Sequence, residues 1–327
     1  MFVVWIIFSS ILFFASPLLE MNDDTDYYEP YKADRTANVA NYLVPAISGC
    51  IGTAMAHPFD VIKVRIQVAS PIHGVRPTIL SVAKGILKNE HPNAFFRGVS
   101  GTVMGQFVFQ TIRQGTRDNL YGYLKRKQNI EVLPFYQRLG VSVFSGILAG
   151  LFGSPFDLAM VRMNADVSKP YVKGKIYKNC FETLGDVWRK EGFFVMWRGY
   201  TALVWRGICS NTASLLTYAS IKSVVSDEYG SLSAKILVCL FTGAMGSLVS
   251  HPWDVMKSRV MSMKRDPVTG KLPYRGTLDS LDEILRKQGF FGLYRSYWAL
   301  YFRLTFQAFI TWGLKEYFSV IQGWDMT

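Results

Sequence analysis

The sequence predicts an all-α membrane protein: six tilted transmembrane helices in three pseudo-symmetric repeats of about 100 residues, with three short helices in the connectors. The first of three observations behind this is a phrase that recurs at a fixed interval. Its copies are His57-Pro58-Phe59-Asp60-Val61-Ile62-Lys63-Val64-Arg65, Ser154-Pro155-Phe156-Asp157-Leu158-Ala159-Met160-Val161-Arg162 and His251-Pro252-Trp253-Asp254-Val255-Met256-Lys257-Ser258-Arg259. Pro58 to Pro155 is 97 residues, and Pro155 to Pro252 is again 97. A period this long, with a proline and an acid held in register, marks a triplicated architecture. The second observation is that 50% of the 327 residues are hydrophobic, in runs that tolerate scattered polar residues. Such runs suit a bundle around a wet cavity. The third is a net charge of +12, with basic residues flanking the apolar segments. That pattern favours a membrane surface or small anions over nucleic acid, which would call for a basic stripe or a binding motif.

Taken in order, residues 1–37 form an N-terminal extension, followed by repeats at 38–128, 134–227 and 231–321. Residues 2–19 are an uncharged apolar run that precedes Asp23, Asp24, Asp26 and Glu29. The run has the length of an anchor but lacks the basic flank of a secretory signal. Residues 1–20 therefore have two readings, an upstream stretch that is not translated or a targeting segment. Each repeat opens with an apolar segment (41–57, 138–154 and 234–251) rich in small residues such as Gly49, Gly52, Gly146, Gly150, Gly153, Gly243 and Gly246. Small residues three or four apart let helix backbones approach closely. Pro58, Pro155 and Pro252 then remove a hydrogen bond each and kink the helix. A polar connector follows, with an amphipathic stretch at Leu80–Lys88, Phe181–Lys190 and Leu278–Lys287. It ends in Phe96-Arg97-Gly98, Trp197-Arg198-Gly199 and Tyr294-Arg295-Ser296, where an aromatic beside an Arg suits a membrane boundary. The second apolar segments are 98–116, 199–221 and 296–314, which completes six spans with both ends of the bundle on one side.

Each second segment carries a charge: Arg113, Arg206 and Arg303. A charge at membrane depth costs about 2.5–3.5 kcal/mol even on the lenient insertion scale, so such residues mark a pathway. Arg198 to Arg206 and Arg295 to Arg303 are both eight residues, which puts Arg206 and Arg303 at one depth. The matching position in the first repeat is Gly105, and Arg113 sits eight residues further on, about 12 Å along the helix. Two facing guanidiniums with a third nearer one mouth suit a small dianion held by bidentate pairs. No acid on these spans offers to neutralise them, which leaves them awaiting an anion.

The repeated acids suggest a gate. Asp60, Asp157 and Asp254 lie just beyond the kinks, with Lys63, Met160 and Lys257 three residues on. Around a threefold axis a carboxylate of one repeat can reach the cation of the next, and such pairs make a discrete switch. Met160 removes one cation and leaves at most two lysine pairs. Cys50, Cys180, Cys209 and Cys239 are far apart, and no histidine cluster offers a metal site, so neither metal nor cofactor is expected. The absence of GxSxG, Walker A and dinucleotide fingerprints leaves an enzyme unsupported.

The triplicated phrase, with the aromatic-basic-Gly phrase after it, resembles the mitochondrial carrier family across residues 38–321. The resemblance implies three matrix helices, a central site opened alternately to either side, and a multi-pass location in the mitochondrial inner membrane. Within the family it is similar to the oxoglutarate/malate and dicarboxylate–tricarboxylate carriers, through Asp157 to Asp166, Phe59 to Gln67 and Pro273 to Asp279. It implies substrate contacts at Arg206, Arg303 and Arg113, beside Gln106, with Gly105 replacing an Arg of the group. It also implies a brace at Gln67 beneath a salt bridge. A second, eroded gate on the cytoplasmic side keeps Asp118, Lys222 and Glu316, with Asp118–Lys222 as its one ion pair. Arg97, Arg198 and Arg295, together with Gly98, Gly199 and Gly276, resemble cardiolipin sites, where helix N-termini receive phosphate. Asn89-Glu90-His91 and Lys287-Gln288-Gly289 depart from the family's acid-Gly phrase.

The expected function is exchange of small dicarboxylates, 2-oxoglutarate for malate, by a chain that works as a monomer with cardiolipin bound. The alternatives are a tricarboxylate or uncoupling-type anion carrier, and a degenerate carrier serving as a membrane scaffold.

Overall fold

The computed structural model describes residues 39–68, 77–130, 133–165, 177–224, 232–264, 272–273 and 275–321. The expectations for residues 1–37 lie outside the described residues, as do the side chains of Lys222, Cys239 and Glu316. What is described is helical, in three equivalent sets. The first set is α1 (Val39–Val68), α2 (Ile79–Asn89), a 3-10 turn over Pro92–Phe96 and α3 (Val99–Gln128). The second is α4 (Phe135–Ala165), α5 (Cys180–Glu191), a 3-10 turn over Phe193–Trp197 and α6 (Tyr200–Val224). The third is α7 (Leu232–Ser262), α8 (Thr277–Gln288), a 3-10 turn over Phe290–Tyr294 and α9 (Tyr297–Ile321).

The prolines do not end the first helix of each set. Helices α1, α4 and α7 run on for about ten residues past Pro58, Pro155 and Pro252. These extensions are buried around nearly their whole circumference: every residue from Asp60 to Gln67, from Leu158 to Ala165 and from His251 to Ser258 is buried. The three extensions pack against one another, and α2 and α5 close over them through Ile86 and Val187, with Ile284 of α8 beside α7. The core therefore sits at the end beyond the prolines. Toward the other end the large apolar side chains turn outward, with Ile47, Ile51 and Met55 on α1 and Phe144, Ile147 and Leu151 on α4 exposed at helical spacing; on α9 Trp298, Phe302 and Phe306 are exposed from the helix start onward. Among the described residues one helix segment, Tyr136–Ala165, is long and apolar enough to cross a membrane by composition alone.

Glycine sets how closely the sets approach. Gly98, Gly101 and Gly105 line one face of α3, and a Cβ at Gly101 would stand 3.1 Å from the Phe156 carbonyl oxygen. Gly98 and Gly199 also adopt left-handed backbone, with φ of 84° and 86°, to turn the chain from the 3-10 turn into α3 and α6. In the third set Arg295 turns the chain with ordinary helical angles instead, and Ser296 takes the glycine's place. Two of the short helices start on a local cap: Thr78 and Ser81 form a capping box on α2, and Asn179 accepts from the Glu182 amide on α5.

The arginine that closes each repeated phrase ties the first helix of its set to the connector. Arg65 binds Glu90 through Nη1 at 2.5 Å and Nη2 at 3.0 Å, and Arg97 adds a contact at 3.2 Å. Arg162 holds Glu191 in the same forked way, and Arg198 Nη1 lies 3.3 Å from the same carboxylate. The third set has a neutral acceptor, Gln288, at 2.9 Å from Arg259. Partial burial pushes the Glu90 and Glu191 carboxyls up, but hydrogen bonds and charge from Arg65 and Arg162 outweigh it and hold both below the ordinary 4.5. A lowered carboxyl pKa contributes stability above its unfolded value that is lost as pH falls through the folded one. Gln288→Glu is therefore expected to raise thermal stability in detergent at pH 7 by about 1 kcal/mol, since a charged acceptor strengthens the bond to Arg259. The gain should vanish once the pH falls below the range in which the new carboxyl ionises; equal midpoints for both proteins at pH 7 would count against the clamp.

Candidate functional site

Where α1, α4 and α7 converge, their carboxylates and lysines form a ring. Lys63 Nζ lies 3.2 Å from Asp254, and Lys257 Nζ lies 2.7 Å from Asp157. Each lysine thus reaches the acid of a neighbouring set. Gln67 Nε2 donates to Asp254 Oδ2 at 2.8 Å and to Ser296 Oγ at 2.8 Å, which links this ring to the start of α9. Met160 holds the ring position equivalent to Lys63 and Lys257, and it has no charge to give Asp60.

Asp60 is paired all the same. Arg303 Nε stands 2.9 Å from Asp60 Oδ1, with Lys63 of the same helix at 3.7 Å. Arg206 makes the equivalent approach to Asp254, at 3.9 Å. These two contacts correct the expectation that the arginines have no acid to neutralise them. That expectation weighed only the second segments, whereas the counter-charges come from α1 and α7. The physical cause lies in burial: Asp60 and Asp254 are each 1% exposed, and a buried ion without a partner costs several kcal/mol. Four cations, Lys63, Lys257, Arg206 and Arg303, here face three carboxylates.

Gly105, the third member of the arginine level, is buried against α4. A Cβ there would meet Phe156 Cβ at 3.2 Å and lie 3.8 Å from Asp157 Oδ1. It offers no side chain to a ligand and packs on α4 beside Asp157. Gln106 points elsewhere on α3: its Nε2 would stand 3.2 Å from a Cβ on Gly49 of α1. Arg113 lies further along α3, donates to Asn211 Oδ1 of α6 at 3.1 Å and covers the Phe109 ring at 5.9 Å. It is not brought to the level of Arg206 and Arg303.

The other expected residues are placed less directly. Asp118 meets Arg117 at 3.1 Å, and an Asp118–Lys222 pair, like anything at Glu316, lies outside the described residues. Arg97 and Arg198 turn in toward Glu90 and Glu191, so their guanidiniums are engaged within the protein. At the start of α8, the Arg275 amide next to Gly276 donates to Asp279 at 2.9 Å. Among the described residues no cluster of three metal-ligating side chains occurs, and Cys50, Cys180 and Cys209 are free thiols. Two groups were missed in the sequence. The Arg65–Glu90 and Arg162–Glu191 clamps were signalled by an Arg seven residues after each proline, and the role of Ser296 by its standing where two other sets have glycine.

A threefold bundle whose charged ring is shared between its sets is a recognisable class of architecture. Residues 34–128, 131–229 and 230–323 each match the model of the family described as mitochondrial carrier protein, and the chain belongs to that family of transporters. Among its relatives, a Neurospora crassa protein provisionally named as a mitochondrial 2-oxoglutarate/malate carrier is 30% identical over 86% of this chain and 86% of its own length. The Arabidopsis thaliana mitochondrial dicarboxylate/tricarboxylate transporter is 29% identical over 81% of this chain and 87% of its own. The human mitochondrial 2-oxoglutarate/malate carrier protein is 28% identical, covering 84% and 88%.

The substitution of Arg303 for a third lysine makes a testable rescue. Arg303→Ala leaves Asp60 buried with only a 3.7 Å lysine contact and is expected to cost about 3 kcal/mol of stability. Adding Met160→Lys returns a cation to the ring position that lacks one and should recover most of that loss in a thermal unfolding assay. A double variant no more stable than Arg303→Ala would show that position 160 does not face Asp60.

Proposed function

We propose that this protein exchanges small dicarboxylates of the 2-oxoglutarate/malate type across the mitochondrial inner membrane by alternating access. The observation that carries the reading is that Arg206 and Arg303, at one level on α6 and α9, are each shared with an acid of the ring. A dianion entering from the open side competes with Asp254 and Asp60 for these guanidiniums. Bidentate carboxylate–arginine pairs are strong enough to win that competition when both ends of the ligand engage together. Once released, Asp60 and Asp254 lose part of what holds α1 and α7 at the axis, and the ring becomes a gate that opens beneath the bound ligand. Binding and gating are then one event, because the same two side chains do both.

The membrane setting follows from the inversion of polarity. Exposed Phe, Ile, Leu and Trp side chains surround a charged interior, which suits a hydrocarbon solvent. Among the described residues, five of the six long helices fall short of the apolarity that spanning by composition requires, because their inner faces are polar. Six spans are therefore read from the repeat and the outward faces together. Cardiolipin is the lipid proposed to sit at the start of α8 beside the start of α6, where Gly276 and Gly199 precede the helices and Thr201 meets Thr277. The relatives named as 2-oxoglutarate/malate carriers and as a dicarboxylate/tricarboxylate transporter favour a carboxylate.

The test is exchange in cardiolipin-containing liposomes loaded with malate, scoring uptake of labelled 2-oxoglutarate in competition with citrate, phosphate and ADP. Uptake blocked by unlabelled dicarboxylates is expected. Arg206→Ala and Arg303→Ala should each lower exchange at least a hundredfold while the protein still folds, in line with about 3 kcal/mol for a lost charged pair. Uptake undiminished in both variants would remove the central claim.

A further inference from the structure

We propose that Asp157 binds a hydrogen-bond donor on the transported dianion, so that this chain favours dicarboxylates with a hydroxyl or ammonium group beside one carboxylate. The proposal rests on Arg206 and Arg303 holding the two carboxylates. It starts from a break in the threefold pattern. Asp60 and Asp254 are each reached by an arginine from the second helix of another set, at 2.9 and 3.9 Å. The equivalent neighbour of Asp157 is Gly105, which has nothing to reach with.

Two consequences are visible. The Asp157 side chain is 25% exposed, against 1% and 2% for Asp60 and Asp254. Its Oδ2 is taken by Lys257 at 2.7 Å, whereas Oδ1 accepts no hydrogen bond among the described residues. Oδ1 is also the atom 3.8 Å from where a Cβ on Gly105 would stand, so the missing side chain leaves that edge of the carboxylate uncovered. The glycine face of α3 keeps α4 drawn in, which holds Asp157 at the level of the ring instead of letting it swing away.

The repeat places this edge beside the dianion. Gly105 holds the position equivalent to Arg206 and Arg303 in the repeat, and Asp157 Oδ1 lies 3.8 Å from where its Cβ would stand, so the open edge of Asp157 is at the arginine level. A ligand bridging Arg206 and Arg303 therefore lies over the Asp157–Lys257 pair. A bare methylene, or the ketone of 2-oxoglutarate, leaves Oδ1 to water, so of the two exchanged dicarboxylates this contact favours malate. A hydroxyl or ammonium at the carbon next to a carboxylate donates to it, and a third carboxylate is repelled by it. One acceptor thus selects for a donor and against a tricarboxylate.

The experiment compares malate, L-aspartate and succinate, which share a four-carbon chain and differ at one carbon. Each is scored as a competitor of malate exchange and, independently of transport, by its shift of the unfolding temperature of the full-length protein in detergent. Malate and aspartate are expected to act at about tenfold lower concentration than succinate, the worth of one hydrogen bond to a charged acceptor. In Asp157→Asn the preference for aspartate should fall about tenfold, and Gly105→Ser, whose hydroxyl can donate to Oδ1, should reduce both preferences with the Lys257 pair intact. Should Asp157→Asn fail to fold, the wild-type ratios and Gly105→Ser decide. Equal action of all three ligands on the wild type overturns this inference and leaves dicarboxylate exchange standing. A preference unchanged in the variants overturns the role of Asp157. No response to any dicarboxylate overturns the exchange reading and this inference together.

Discussion

Charge buried away from water is the constraint on which this structure depends. Three helices bring Asp60, Asp157 and Asp254 to one place, and two of those carboxylates are almost completely enclosed. A lone buried carboxylate is not tolerable at that depth, so its partners fix where neighbouring elements must stand. Lys63 has to lie against α7, Lys257 against α4, and Arg303 against α1. Charge pairing and the apolar packing of the extensions together fix helix positions here, while along much of the bundle the apolar side chains point outward. Paired buried charges add little net stability but tolerate only discrete arrangements, which is what a two-state gate needs.

Symmetry makes its exceptions informative. The same ring position carries Lys63, Met160 and Lys257, and the arginine level carries Gly105, Arg206 and Arg303. Around Asp60 the lysine of the neighbouring set is missing and the arginine takes over; around Asp157 the arginine is missing and the lysine remains. Asp254 has both, and Gln67 besides. Three acids that began as copies therefore differ in how tightly they are held. The clamps that fasten the connectors vary in the same way, with Glu90 and Glu191 replaced by Gln288 in the third set. Gln288 keeps one hydrogen bond to Arg259 where the other two sets have a charged, forked clamp.

Much of the architecture could be read from periodicity. The 97-residue interval between prolines gave three sets, and the alternation of apolar segment, connector and apolar segment gave the order of helices within each. Helix ends were less legible: the first helix of each set continues past its proline because the segment 59–68 and its counterparts are held by burial on nearly all sides, which outweighs the lost hydrogen bond. The lysine–acid neighbours were legible because they repeat in register. The arginine–acid contacts were not, since Arg303 and Asp60 stand 243 residues apart and at unrelated phases of different phrases.

The sequence by itself determined the kinds and spacings of the groups: three prolines, three acids, two lysines, two arginines at one depth, and a glycine where a third arginine would be. Repetition carries that information, because equivalent positions in copied segments must occupy equivalent places. Only the tertiary structure decided who faces whom. Gly105 lies beside Asp157, Met160 leaves Asp60 to Arg303, and Glu191 claims both Arg162 and Arg198. Those pairings depend on how far each helix approaches the next, which is set by glycine contacts and burial between segments remote in the chain. A buried charge settles on the nearest opposite charge in space, and distance in space is what a one-dimensional pattern does not record.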